Sequence, residues 1–228
     1  MTARCAQDDK RLFPSCRHSV GPEGAESCMK LVAITQRVAI VPEYGERRDC
    51  LDQAWPRFLA ACGLAPLALP NVLEVALELC AGAAVSGLVL TGGNDLAACG
   101  GDAPERDAAE FALLERAERR GFPVLGVCRG MQVIQQRFGV GLHRVERHVA
   151  RRQVIRIEGE PREVNSFHHF AACESRPPLD VWAVADDGVV KAIRHSKQPI
   201  TGIMWHPERL SPFSPADVAL FRKVFKVE

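Results

Sequence analysis

From Lys30 onward, short apolar runs alternate with longer segments whose apolar residues recur every three or four positions, the patterns of buried strands and amphipathic helices. The first run, KLVAITQRVAIV, reads as a strand. Leu51, Ala54, Trp55, Phe58, Leu59 and Cys62 then predict a helix over Glu46 to Cys62, closed by Gly63. Ala65 to Pro70 reads as a buried strand. Asn71 follows as the N-cap of a helix that turns Val72, Leu73, Val75, Ala76 and Leu79 inward. Ser86 to Leu90 is the next strand, and it runs straight into Thr91-Gly92-Gly93-Asn94-Asp95. Arg106 to Arg120 predicts a helix with Phe111, Leu113, Leu114 and Ala117 buried and Gly121 at its end.

The segment PVLGVCRGMQVIQQ, Pro123 to Gln136, is the most constrained of these alternations. Its apolar run Val124, Leu125, Val127 stops at Cys128-Arg129-Gly130, and helical spacing resumes at once through Met131, Ile134 and Phe138. A strand that enters a helix with no intervening loop pushes the apex side chain out of the sheet edge, as in a nucleophile elbow. A thiol there sits at the positive end of a helix dipole, which favours the thiolate.

Strands alternating with helices of this length predict one α/β domain with a mainly parallel sheet covered on both faces. The loops at Gly92-Gly93 and Cys128 leave neighbouring strands and should face each other at one sheet edge. Beyond Gly141 the texture changes to short strands joined by turns at Gly159-Glu160-Pro161, Asp187-Gly188 and Gln198-Pro199. This is expected to be an antiparallel extension that returns the chain to the same edge at Trp205-His206-Pro207-Glu208. A last helix opens at Ser214-Pro215, with Ala219, Phe221 and Val224 as its buried face.

Residues 1 to 28 show neither period and mix charge with Gly, Pro and Ser, so they are expected to form a disordered or loosely attached leader. The folded, catalytic domain, and with it the natural start of translation, is expected to begin at Met29 and to run through residue 228.

Composition narrows the function classes. The 228 residues carry 29 Lys+Arg against 28 Asp+Glu, a formal charge of +1, which favours neither nucleic acid nor an anionic membrane as partner. No apolar run approaches the roughly 18 residues of a membrane span, and residues 1 to 28 lack a signal-peptide core, so a cytoplasmic protein is expected. The nine cysteines are scattered without a C-x-x-C pair, which suggests neither a zinc site nor a disulfide framework. No GxxxxGK[ST] loop and no GxGxxG after a strand supports a nucleotide-hydrolysing or nicotinamide enzyme.

Cysteine catalysis needs a base, a group that orients it, and oxyanion donors. Among seven histidines, His206 leaves a buried strand and has a carboxylate, Glu208, two residues on across the rigid Pro207. Such a turn can set Glu208 against the far imidazole nitrogen. A surface histidine ending a strand is the plainer alternative. Gly92 and Gly93 bring backbone N–H groups close to a substrate with no Cβ in the way, and the Arg129 N–H points toward the same space. An ordinary βα turn is the alternative there. His168-His169 could suggest a metal, but neighbours on a strand face opposite ways and no other ligands cluster with them, so substrate recognition is the preferred role. Arg144, Arg147, Arg151 and Arg152 read as a solvated face.

Taken together, LTGGNDL at 90–96, GVCRGMQ at 126–132, VNSFHHF at 164–170 and GIMWHPER at 202–209 resemble the class I glutamine amidotransferase-like superfamily, specifically its gamma-glutamyl hydrolase branch. The resemblance runs from about Met29 to the C-terminus. It implies a three-layer flavodoxin-like sandwich, a Cys128, His206, Glu208 triad, and an oxyanion hole from Gly92, Gly93 and Arg129. It further implies glutamyl contacts from Gln132, Asn165, Ser166 and His168, with no metal or organic cofactor. Phe170, Met204 and Lys191 depart from the branch's usual Gln, Gln and acidic residue, which puts the difference on the leaving-group side. The short form is similar to enzymes of bacterial surface-polysaccharide pathways, including the gamma-glutamyl-CDP-amidate hydrolase of capsular phosphoramidate synthesis. The implied partner is a small gamma-glutamyl substrate, with the chain a monomer or homodimer. Two alternatives remain: a glutaminase subunit feeding ammonia to a synthase, and a non-catalytic binding module. The intact Cys, His and Glu set argues against the latter.

Overall fold

The computed structural model describes residues 29–228, so the expectation for the leader lies outside the described residues. In chain order the first half comprises β1 (Lys30–Ile34), β2 (Arg37–Val41), β3 (Glu46–Cys50), α1 (Ala54–Ala61), β4 (Leu64–Ala68), α2 (Leu73–Gly82), β5 (Leu88–Leu90), α3 (Pro104–Arg120), β6 (Val124–Val127) and α4 (Arg129–Arg137). The second half comprises β7 (His143–Arg144), β8 (Val149–Ile157), β9 (Glu160–Phe167), β10 (Phe170–Ala171), β11 (Leu179–Ala185), β12 (Val190–His195), β13 (Ile200–Ile203) and α5 (Pro215–Phe225).

Nine strands form one sheet in the order β4-β1-β5-β6-β13-β12-β11-β8-β9. The first five are mutually parallel, and the rest continue antiparallel. Numbered among themselves, the parallel strands run 2-1-3-4-5, the flavodoxin-like doubly wound order. Helices cover both faces. Trp55 and Phe58 of α1 pack on Phe221 of α5, while α3 and α4 pack against β5, β6 and β13 and α2 packs on α3. Because the five strands are parallel, their C-terminal ends share one edge, and β5, β6 and β13 are adjacent there.

Several elements differ from the sequence pattern for identifiable reasons. The run KLVAITQRVAIV breaks at Thr35-Gln36: β1 enters the main sheet, whereas β2 pairs antiparallel with β3 in a separate ribbon. A helix from Glu46 would have held Pro56 in its interior; α1 instead begins at Ala54, which leaves Pro56 in the first turn where its missing N–H costs nothing. Asn71 does not cap α2. Its side-chain amide donates to Gln36 O and Asp49 Oδ1, binding the ribbon to the sheet. On α2, Ala76 and Cys80 are the buried residues, and Val72, Val75 and Leu79 remain 54%, 47% and 39% exposed. On α5, Ala219 is exposed, and Asp217, Phe221 and Phe225 face inward. Among the described residues no helix is long and apolar enough to cross a membrane.

Candidate active site

The turn after β6 is tight because two glycines flank its apex. A Cβ on Gly126 would lie 2.5 Å from the Gly130 carbonyl, and one on Gly130 would lie 2.1 Å from Leu90 O. Any larger residue would push α4 off the sheet. Cys128 itself takes φ 53° and ψ −105°, a strained conformation for a residue with a side chain. The G-x-C-x-G spacing at 126–130 is the sequence signal for this geometry.

Next door, the chain leaving β5 passes close under the same point. A Cβ on Gly92 would lie 2.7 Å from His206 Cε1 and 3.5 Å from Cys128 Cβ, so the Gly92 backbone, Cys128 and His206 meet at one spot. His206 arrives three residues after β13. Its Nδ1 lies 2.7 Å from Glu208 Oε1, and both side chains are buried. Glu208 reaches back because Pro207–Arg209 forms a 3-10 turn. The other imidazole nitrogen, Nε2, is buried without a hydrogen-bond partner. The Cys128 thiol rests 3.8 Å from Phe167 O. Cys128 and His206 are thus adjacent without a hydrogen bond between their side chains.

Burial opposes charge on His206, but the neighbouring Cys128 sulfur and Glu208 carboxylate outweigh it and raise the imidazole to about 9. Phe167 sits edge-on to the His206 ring, and the Arg209 guanidinium lies over the Phe167 ring.

Four further positions were expected to meet substrate, and the structure divides them. Asn165 is buried behind His206: it donates to His206 O at 2.8 Å and accepts the His206 N–H at 2.7 Å. Ser166 is also buried, donating to His148 O and accepting from Lys191 Nζ. Gln132 and His168 line a cavity of about 240 Å³ beside Cys128, together with Gly93, Asn94, Asp95, Arg129, Phe167 and His169. Gln132 donates to Phe170 O. His168 is committed at both nitrogens: Nδ1 donates to Phe170 O and Nε2 accepts from Lys191 Nζ at 2.8 Å. Burial, then the Lys191 and His148 charges, lower His168 to about 2, so it is neutral. Burial also lowers Lys191 to about 8. The adjacent pair diverges, with His168 buried and His169 exposed, although it lies in the short link between β9 and β10 and not on a strand. Among the described residues no group of three His, Cys, Asp or Glu is placed to hold a metal ion.

Sequence reasoning missed the charges under the site. Arg106 and Glu110, one turn apart on α3, are fully buried and paired at 2.9 Å. Glu110 also pairs with the Arg129 guanidinium, which reaches Asp107 as well. The only sequence trace is an R-D-x-x-E run inside a helix, which reads equally well as a solvated face.

Comparison with known proteins agrees with this picture. The chain matches the peptidase C26 family over residues 30–208. It is 30% identical over 183 residues to a gamma-glutamyl-CDP-amidate hydrolase of Campylobacter jejuni, covering 78% of this chain and 90% of that protein. To anthranilate synthase component 2 of Thermococcus kodakarensis it is 37% identical over 97 residues, covering 39% of this chain and 50% of that one. The fold resembles that of a Thermotoga maritima glutamine amidotransferase with a TM-score of 0.59 at 15% identity, over 87% of this chain and 83% of the other.

Proposed function

The chain belongs to the peptidase C26 family of glutamine amidotransferase-like proteins, and on that premise we propose that it is a cysteine-dependent hydrolase of gamma-glutamyl amide bonds. One observation supports this above the rest. A strained cysteine at a helix N-terminus faces the unpartnered Nε2 of a histidine whose Nδ1 is fixed by a buried glutamate.

In this reading His206 is charged at neutral pH and forms an ion pair with the Cys128 thiolate. The sulfur attacks the gamma-carbonyl carbon, and the carbonyl electrons move to oxygen, which the Gly93 and Arg129 N–H groups receive, with Gly92 leaving them room. As the C–N bond breaks, the His206 Nε2 proton passes to the departing nitrogen. A gamma-glutamyl thioester remains. Water, deprotonated by His206, attacks it; the C–S bond breaks and glutamate leaves. Gln132 and His168 bound the cavity that takes the glutamyl end, while Asn165 and Ser166 act from behind it. No cofactor enters the scheme. Residues 29–228 are the catalytic unit, and a cytoplasmic setting suits its free cysteines.

The long match to the Campylobacter jejuni protein favours a gamma-glutamyl nucleotide amidate, an intermediate of surface-polysaccharide modification, as substrate. A second reading, a glutaminase subunit serving a synthase, draws on the match to anthranilate synthase component 2 and on the exposed Val72, Val75, Leu79 stripe of α2. The test is glutamate release from glutamine, a gamma-glutamyl amine and a gamma-glutamyl nucleotide amidate, with wild type and Cys128→Ala. Cys128-dependent preference for the amidate supports the first reading. Slow cleavage of glutamine alone supports the second, and turnover that survives Cys128→Ala overturns both.

A further inference from the structure

Arg106 stands outside the triad and outside the cavity, yet it is a fully buried charge committed to several partners. Its guanidinium donates to Thr91 O at 2.9 Å, Gly92 O at 3.1 Å, the Thr91 hydroxyl at 3.1 Å and Asn94 Oδ1 at 3.1 Å, and also to Gly93 O. Three consecutive carbonyls of one loop are therefore drawn toward α3. In a planar trans peptide the N–H points opposite to its carbonyl. The Gly92, Gly93 and Asn94 N–H groups are thus turned away from Arg106, and among the described residues none of the three has an intrachain acceptor. The loop they leave is the one whose Gly92 lies against Cys128 and His206.

The same guanidinium is coupled to the second donor. Glu110 binds Arg106 with Oε1 and the Arg129 side chain with Oε2, and Arg129 carries the N–H that opens α4 just after Cys128. Asp107 takes the other arm of Arg129 and also accepts the Ala97 N–H. Two cations and two anions cancel within this cluster, which makes its burial tolerable. One turn of α3 thereby sets the spacing between the loop after β5 and the start of α4.

We propose that Arg106, through Glu110 and the Arg129 side chain, is a positioning residue that holds the two halves of the oxyanion hole in register. This rests on the reading of Cys128 as an acylating nucleophile. A cluster that served stability alone could bind any surface of α3; this one spends its donors on the carbonyls whose opposite faces border the site.

The test compares two reactions of Cys128. Acylation by gamma-glutamyl-p-nitroanilide passes through an oxyanion, whereas alkylation by iodoacetamide does not. In Arg106→Lys, acylation should fall about 100-fold with KM little changed, while alkylation stays within about twofold of wild type. Glu110→Gln, which keeps an acceptor but removes the charge, should show the same split at about tenfold, and it serves if circular dichroism shows Arg106→Lys to be unfolded. Equal losses in both reactions, or no loss in either, would overturn the proposal. Wild-type turnover retained in Cys128→Ala would instead overturn the nucleophile assignment beneath it.

Discussion

Asn165 clasps the backbone of His206 from both sides, donating to its carbonyl at 2.8 Å and accepting its N–H at 2.7 Å. Asn165 lies near the end of β9, at one margin of the sheet, whereas β13 lies at the junction of its parallel and antiparallel halves. This clasp joins the antiparallel extension directly to the residue it serves.

Asn165→Ala should therefore act on catalysis more than on substrate affinity. It leaves the buried His206 N–H unpaired, a cost of about 1–3 kcal/mol, leaves His206 O with only the Arg209 N–H at 3.2 Å, and frees His206 to drift from Cys128. Steady-state kinetics should show kcat falling at least tenfold with KM within about twofold. A variant that instead raised KM at constant kcat would make Asn165 a substrate contact.

The raised His206 pKa carries a pH signature. In the proposed mechanism the imidazolium is the active form, so kcat/KM should decline as pH rises through about 9. Stability should follow the same sign. A histidine raised from 6.5 to about 9 contributes fully below 6.5, and that contribution is lost as pH rises through about 9. Glu208→Gln removes one of the groups that hold the proton and should move the alkaline limb to lower pH. An unmoved limb would detach it from His206.

His168 predicts the opposite limb. It is held neutral, with its pKa depressed to about 2, first by burial and then by Lys191. Below about pH 6.5 the unfolded chain takes up a proton that the folded chain refuses, so stability should fall progressively toward acid. Denaturant melts between pH 7 and 4 should show this slope, and His168→Gln should flatten it.

Breaking the buried cluster should be costly. Glu110→Ala strands the Arg106 and Arg129 guanidinium groups without their shared carboxylate, a loss of about 3–5 kcal/mol. Exposed pairs should behave differently: Glu115→Ala, which removes only the surface partner of Arg119, should change stability by less than about 1 kcal/mol in the same urea titration.

The alternation of strands and helices was legible because it follows from what must be buried at each position. Leu88 to Leu90, Val124 to Val127 and the periodic face of α3 all appear at their expected places. Errors arose where tertiary context overrode a local pattern. The ribbon formed by β2 and β3 is held by partners from elsewhere in the chain, with Asn94 pairing to both backbone groups of Val38. A single apolar run therefore split into strands of two different sheets. The α2 stripe is apolar yet exposed: periodicity predicts it as core because it reports amphipathicity and not which side is covered.

By itself, then, the sequence determined the α/β class, the abrupt strand-to-helix turn at Cys128 and the Gly-Gly loop after β5, because each depends on residues adjacent in the chain. It also set His206 and Glu208 two residues apart around a proline, a spacing short enough for the side chains to meet. Only the tertiary structure decided that Asn165 and Ser166 lie behind the site, and that Lys191 saturates His168. It alone placed Arg106, Glu110 and Arg129 as a neutral buried cluster beneath the loop. A charged residue on a helix carries no mark of burial; whether it meets water or an opposite charge depends on which distant strand the helix packs against.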